Sequence, residues 1–321
     1  MPNSNKSTYR QLCEEKPIPL FMQAWWMDAA CGADNWDVLL FERNGLVQGV
    51  LTYLLVKKFV FRCVLQPQLT QYNGVWINYP EKLELEERLT LEKVIMTDLI
   101  EQIEKKRIHY FNQNFHYSIT NWQPFFWKGF SQTTRYTYLI EDISNPDNVY
   151  TNFSYAKQKH IKKSEGKLLI DFNLNEDEFY AFHVKCLKQK GENILYSKAL
   201  FSALYSASLQ RNKGMVISAR DERGNIHAAL FVVWNRESAY NLISAIDIDN
   251  KSSGASTLVV WEAIKFLSDK TNIFDFEGSM IEGVAQSFQQ FGTIQQSYFN
   301  ISKSYSSIIN LLMHLRNIKW K

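Results

Sequence analysis

Two carboxylates in the segment Phe274, Asp275, Phe276, Glu277, Gly278 are the residues of this chain best suited to proton chemistry. On an alternating strand Asp275 and Glu277 point the same way, so a buried strand flanked by apolar residues presents both to one place. Crowded carboxylates repel, which raises the pKa of one and suits a group that must take a proton from an ammonium nucleophile. Glu277, beside Gly278, is the better candidate for that work. Asp275 serves equally well as a cap or as an ion-pair partner.

A second constellation is cationic. Residues 152–167 read as one helix carrying Lys157, Lys159, Lys162, Lys163 and Lys167, with His160, against a single acid, Glu165. Lys159, Lys163 and Lys167 recur every four residues and therefore stack on one helix face. Within a Debye length of about 8–10 Å such charges reinforce one another, so a di- or polyphosphate would feel several at once. A solvated lysine face gives the same pattern. A third site is the junction from Asp247 to Thr257, where Lys251, Ser253, Gly254, Ala255, Ser256 and Thr257 lead into an amphipathic helix. Small residues at a helix start leave backbone N–H groups bare, and the positive end of the helix dipole attracts anions. Serine and threonine also cap ordinary helices.

Other chemistries lack their residues. There is no phosphate loop ending in Gly-Lys-Ser/Thr and no dinucleotide glycine fingerprint, and Ser279 stands in Glu-Gly-Ser-Met-Ile rather than in a nucleophile elbow. The six histidines have no metal-ligand spacing. Cys13, Cys31, Cys63 and Cys186 lie far apart and read as reduced thiols. Thirty-six basic residues against 33 acidic ones leave a net charge of +3, too small for a general DNA binder, so electrostatic function must be local. No run approaches 18 uncharged apolar residues; the segment from Leu51 to Val60 is interrupted by Lys57 and Lys58. With no apolar leader among the first residues, a cytoplasmic location is expected. Residues 305–321 read as an amphipathic helix, docked or at a membrane surface.

The elements that must position these residues are written twice. Val38 to Glu42, a turn at Arg43, Asn44 and Gly45, then Leu46 to Val56 and Phe59 to Leu65 form a strand meander. Met215 to Ala219, a turn at Asp221 to Gly224, then Ile226 to Trp234 and Ala239 to Ile246 form another. Each is followed by a long helix and a short strand: Leu85 to Lys106 and His109 to Asn112 in the first copy, Ser256 to Asp269 and Ile273 to Phe276 in the second. A glycine turn then leads to Thr134 to Ile140 in one and Tyr298 to Ile301 in the other. In the second copy Lys167 to Phe172 reads as a leading strand, and Glu176 to Lys190 and Ser197 to Asn212 as helices.

This order resembles the acetyltransferase (GNAT) lobe, which implies an α/β (α+β) fold of two tandem GNAT-like lobes, each a mixed, mostly antiparallel sheet flanked by helices. The first would span residues 1–150 and the second 151–321, the latter opening with the basic linker helix. In such a lobe the junction at Lys251 to Thr257 would hold the donor's pyrophosphate.

Three further pieces resemble the Fem aminoacyltransferases and their FemAB-like relatives. They are the segment from Pro67 to Gly74, the lysine-rich helix from Tyr155 to Gly166, and Asp275 to Ser279 followed by Gly283, Val284, Phe288, Phe291 and Gly292. The resemblance implies transfer of an aminoacyl group from charged tRNA to an amine on a nucleotide- or lipid-linked muropeptide, without a tightly bound cofactor. Lys157, Lys159 and Lys163 would meet acceptor phosphates or the tRNA end, and Gln71, Tyr72 and Asn73 would line the acceptor site. Family members often carry lysine where this chain has Gln289, and some have a helical-hairpin arm that this chain lacks. An acyl-CoA donor with a small amine, sugar or peptide acceptor is the alternative, and a catalytically silent polyanion-binding protein is a third reading.

Overall fold

The computed structural model describes residues 5–316. In chain order the elements are α1 (Asn5–Glu15), α2 (Ala24–Cys31), β1 (Trp36–Arg43), β2 (Leu46–Lys58), β3 (Phe61–Leu65), β4 (Gly74–Ile77), α3 (Leu85–Lys105), β5 (Tyr110–Asn114), α4 (Gln123–Trp127) and β6 (Ser131–Ile140). The chain continues through α5 (Pro146–Asn152), α6 (Tyr155–Ser164), β7 (Leu169–Asp171), α7 (Glu176–Gln189), α8 (Lys198–Gln210), β8 (Gly214–Arg220), β9 (Ile226–Trp234) and β10 (Ser238–Ile246). It ends with α9 (Ala255–Leu267), β11 (Ile273–Asp275), α10 (Glu282–Gln289), β12 (Ile294–Ser304) and α11 (Ser307–Arg316). Two compact units result. One takes in the chain up to Arg135 and again from Ser297; the other runs from Tyr136 to Gln296. The chain crosses between them inside β6 and inside β12.

In the first unit β1 and β2 form a hairpin closed at Arg43↔Leu46, with Asn44 at φ 55° and Gly45 at φ 75°. Positive φ at both turn positions matches the twist of the strands, which is why Asn-Gly serves there. The long β2 pairs antiparallel with both β3 and β4, β3 runs parallel to β5, and β5 pairs antiparallel with β12. The amphipathic α3 buries Ile95, Leu99 and Ile103 against Leu51, Val64 and Phe111. It packs so closely that a Cβ on Gly49 of β2 would lie 2.3 Å from Ile95 Cγ2. The short strand β4 was not expected from the sequence, and the strand expected from Phe59 starts at Phe61, because Phe59 has a φ of 53°.

In the second unit β7, β8, β9 and β10 are joined antiparallel in that order; β10 then pairs parallel with β11, and β11 antiparallel with β6. Alternation along β9 serves two helical layers. Leu230 and Val232 join the core under α9 with Leu258 and Ile264, while Phe231 packs edge-on to Phe179 of α7 and Phe201 of α8. The expected basic helix over 152–167 is broken. Phe153 is extended, Ser154 caps α6 by accepting from the Lys157 N–H, and α6 stops at Ser164 before Gly166 at φ 73°. Lys167 therefore lies outside the helix on which it was expected to stack, as α6 ends three residues earlier.

No helix among the described residues is long and apolar enough to cross a membrane. Of the expected terminal helix, α11 is described to Arg316, with Ile309 buried against Cys63 and Tyr110. The rest of that expectation lies outside the described residues.

Candidate functional site

Strand β11 exists because Ile273, Phe274 and Asp275 can ladder on both sides, to β10 through Ser238, Ala239 and Tyr240 and to β6 through Leu139 and Ile140. It then stops while β10 runs on to Ile246, so beyond Tyr240 that side of β10 carries no further β11 pairs. At this divergence Asp275 is fully buried; it accepts from the Thr137 hydroxyl and, at 2.7 Å, from the backbone N–H of Glu277.

Glu277 itself lies beyond the strand, at φ 61°, a left-handed conformation that a long side chain rarely adopts. The alternation expected to align the two carboxylates therefore ends at Asp275, and a tight turn brings Glu277 near Asp275 instead. Gly278 completes the turn at φ 70°, where a Cβ would sit 2.2 Å from Tyr136 O. Glu277 Oε1 is buried with no hydrogen-bond partner. Burial first, and the charge of Asp275 second, push its pKa well above the usual carboxylate range. A left-handed backbone at a glutamate and a buried, unpartnered carboxylate oxygen both cost stability.

Lys157, expected on the basic helix but outside its every-fourth stripe, is set apart from the other lysines of α6. It is buried, its Nζ donates to Ser287 Oγ at 2.9 Å, and it lies 4.2 Å from the centroid of the Phe291 ring. Burial lowers its pKa to about 8. The Phe291 ring packs tilted against Phe276, the residue between the two carboxylates, at 5.0 Å between centroids, so lysine and acids belong to one neighbourhood. Lys159 and Lys163 are exposed, and Lys163 donates to Ser252 O at 2.5 Å.

That contact ties α6 to the junction before α9. Lys251 to Ser253 form the end of a 3₁₀ turn, Gly254 enters the helix at φ 87°, and a Cβ there would lie 2.5 Å from His160 O. The helix start was expected to offer bare N–H groups. There Ala255 N–H donates to Ser253 Oγ, Thr257 N–H donates within the first turn to Gly254 O, and the α6 backbone packs over Gly254. Ala255 and Thr257 are buried, and Thr257 Oγ1 has no partner; Ser256 is half-buried, and Lys251 is exposed. Asp247 caps the 3₁₀ turn of this junction. Burial would raise its pKa, but hydrogen bonds from Gln189, Lys185 and the Asp249 N–H win and lower it.

In the first unit Gln71, Tyr72 and Asn73 lead into β4. Tyr72 is fully buried among Phe21, His116, Tyr117 and Tyr298. Asn73 Oδ1 accepts from the Thr52 hydroxyl and from Gly74 N–H, a structural role. Gln71 is different: it is 8 % exposed, yet neither Nε2 nor Oε1 has a partner. Nearby on the same ring cluster, His116 is held down to about pKa 3 by burial, and its Nδ1 accepts from Ser118 N–H, so the neutral ring carries its proton on Nε2. Thr137, Ser287 and His116 were not singled out from the sequence. Their partners lie 138, 130 and two residues away, and only the last separation is local.

Residues 162–279 match the family described as an acetyltransferase (GNAT) domain. No curated protein matches the chain. Among solved structures the chain is similar to FemX, at 11% identity over 98% of both chains with a TM-score of 0.71. It is similar to L-PGS from Bacillus licheniformis at 9% identity over 98% of this chain and 97% of that one, TM-score 0.59. A tandem GNAT protein from the clavulanic acid biosynthesis pathway aligns at 11% identity over 94% of each, TM-score 0.53. The described residues have a GNAT-like mixed α/β fold with helices flanking a sheet, similar in fold to these solved structures at 9–11% identity.

Proposed function

We propose that this protein is an N-acyltransferase that moves an aminoacyl group from an ester donor to an amine acceptor, with Glu277 as the proton-transfer group. The observation that carries this reading is Glu277: half-buried, its Oε1 buried without a partner, its pKa raised, and its backbone held at positive φ by a turn that Asp275 and Gly278 fix. A neutral amine nitrogen attacks the donor carbonyl carbon. As the C–N bond forms, the amine proton passes to the Glu277 carboxylate, directly or through one water. The C–O bond then breaks, and the carboxyl returns the proton to the leaving hydroxyl. No covalent enzyme intermediate is needed, because proximity supplies much of the acceleration.

Two further features favour particular partners. The N-terminus of α9, where a CoA pyrophosphate would lie in an acetyltransferase lobe, is covered at Gly254 by the α6 backbone; this favours an aminoacyl ester such as charged tRNA over acyl-CoA. The unpaired Gln71 carboxamide, with one donor pair and one acceptor to offer, favours an acceptor bearing amide groups, such as a peptide-bearing cell-wall precursor. Lys159, exposed on α6 of the second unit, is suited to meeting a phosphate.

The test is single-turnover transfer with charged tRNA and, in parallel, acetyl-CoA. Glu277→Gln is expected to lower the rate about 10²–10⁴-fold. Asp275→Asn removes a charge that raises the Glu277 pKa, so the acidic limb of the pH–rate profile should move to lower pH. An unchanged rate in the first variant rules out the assignment of Glu277, and turnover with acetyl-CoA alone rules out the donor.

A further inference from the structure

The hairpin joining β2 to β3 turns through two residues, Phe59 and Val60, closed by the pair Lys58↔Phe61. The neighbouring β1–β2 hairpin makes its two-residue turn with Asn-Gly, which tolerates positive φ at little cost. Here an aromatic residue takes φ 53°, where a bulky side chain is strained. The residue is also 100% exposed, and the valine beside it 79% exposed. A strained turn that holds two adjacent apolar side chains largely in water gains little for the fold.

Behind the tip the charge is as unusual as the apolar exposure. Lys57 pairs directly across the hairpin with Arg62, and like charges facing each other across strands repel. Neither has an ion-pair partner among the described residues, and Arg62 Nε is buried without any hydrogen bond. Both line an open cavity of about 710 Å³ together with Lys6 and Lys106, four cations against Asp34 and Asp37. Asp37 is engaged by the Tyr53 hydroxyl at 3.2 Å, and Lys6 is anchored over the Trp36 ring at 4.6 Å. The cavity therefore carries a surplus of positive charge and an orphaned guanidinium N–H.

We propose that this hairpin is a docking site for an anionic phospholipid bilayer, Phe59 and Val60 entering the headgroup boundary and the Lys57–Arg62 cavity taking a lipid phosphate. Apolar side chains at a tip, collared by cations, complement a surface whose outermost layer is anionic and whose next layer is hydrocarbon. Charge alone would fit any polyanion. The apolar, hydrogen-bond-free tip is what singles out lipid over RNA, whose exterior is phosphate and sugar. The proposal rests on the first unit only and does not depend on the acyl-transfer reading.

The experiment is cosedimentation with large unilamellar vesicles, one set of phosphatidylglycerol and phosphatidylcholine in equal parts and one of phosphatidylcholine alone. The full chain should favour the anionic vesicles by at least about tenfold, and the preference should shrink with salt. The double variant Phe59→Ser, Val60→Ser should bind them about tenfold more weakly. Lys57→Gln with Arg62→Gln should remove most of the salt dependence; if that pair fails to fold, the tip variant, whose side chains lie mostly in solvent, decides. Inorganic phosphate and bulk tRNA serve as competitors. No affinity for the anionic vesicles, tip and cavity variants that bind as the parent does, or vesicle binding abolished by millimolar phosphate or by tRNA would each overturn the proposal.

Discussion

Lys157 Nζ stands 4.2 Å from the centre of the Phe291 ring, and 134 residues of chain separate the two (291 − 157). The ring face offers electron density and Ser287 Oγ offers one acceptor, but together they do not replace the hydration an ammonium gives up. The lysine's pKa of about 8 reports that deficit.

The deficit has a pH signature. A lysine whose folded pKa lies below its ordinary 10.5 binds fewer protons when folded than when unfolded between those values, so its penalty is full below about pH 8 and relieved as the pH rises toward 10.5. Lys157→Met lacks the charge in both states. The difference in unfolding free energy, parent minus variant, should therefore grow in the parent's favour from pH 7 to pH 10, by up to about 3 kcal/mol. Urea titrations of both proteins at the two pH values measure it, and a flat difference would show that Lys157 is better solvated than its burial indicates.

Gln71 sets stability against binding. An unsatisfied buried amide costs about 1–3 kcal/mol relative to a group with no polar atoms, and both of its polar atoms are unpaired. Gln71→Leu should raise the unfolding free energy by about 1 kcal/mol while weakening an amide-bearing acceptor about tenfold or more. Chemical denaturation and acceptor titration read the two effects separately. A variant that is less stable than the parent would mean that the carboxamide already has its partners.

Three glycines at positive φ separate strain from collision. Gly224, at φ 84°, has nothing within 4 Å of a would-be Cβ, whereas Gly254 and Gly278 have backbone oxygens at 2.5 and 2.2 Å. Gly224→Ala should cost about 1 kcal/mol, the conformational term alone. Gly254→Ala and Gly278→Ala must also displace backbone and should cost about 2–4 kcal/mol each. Equal costs at all three positions, measured by denaturant midpoint, would contradict the close approaches at His160 and Tyr136.

Glu277 has a sign of its own. A carboxyl whose folded pKa is raised holds its proton longer when folded, so its contribution to stability falls as pH rises above the ordinary 4.5 toward the folded value. Glu277→Gln should match the parent near pH 4 and exceed its melting temperature by about 2–4 °C at pH 8. Parallel melting curves at both values test this without reference to activity.

What the sequence determined by itself is the local grammar. The strand Ile226–Trp234 has the bounds that its apolar run dictates, Asn44-Gly45 makes the turn that positive φ permits, and α3 runs from Leu85 as its periodicity requires. These features are set by interactions between residues a few positions apart, so one stretch of chain contains the whole cause. Only the tertiary structure decided that Lys157 is buried while Lys159 on the same helix is exposed, since helical spacing defines faces without saying what covers them. It also decided that α6 closes over Gly254, that Gln71 is sealed without partners, and that Glu277 turns out of its strand against Asp275. Each of these depends on atoms brought in from distant stretches of the chain or on a backbone torsion that such packing enforces, and neither is written in the local pattern.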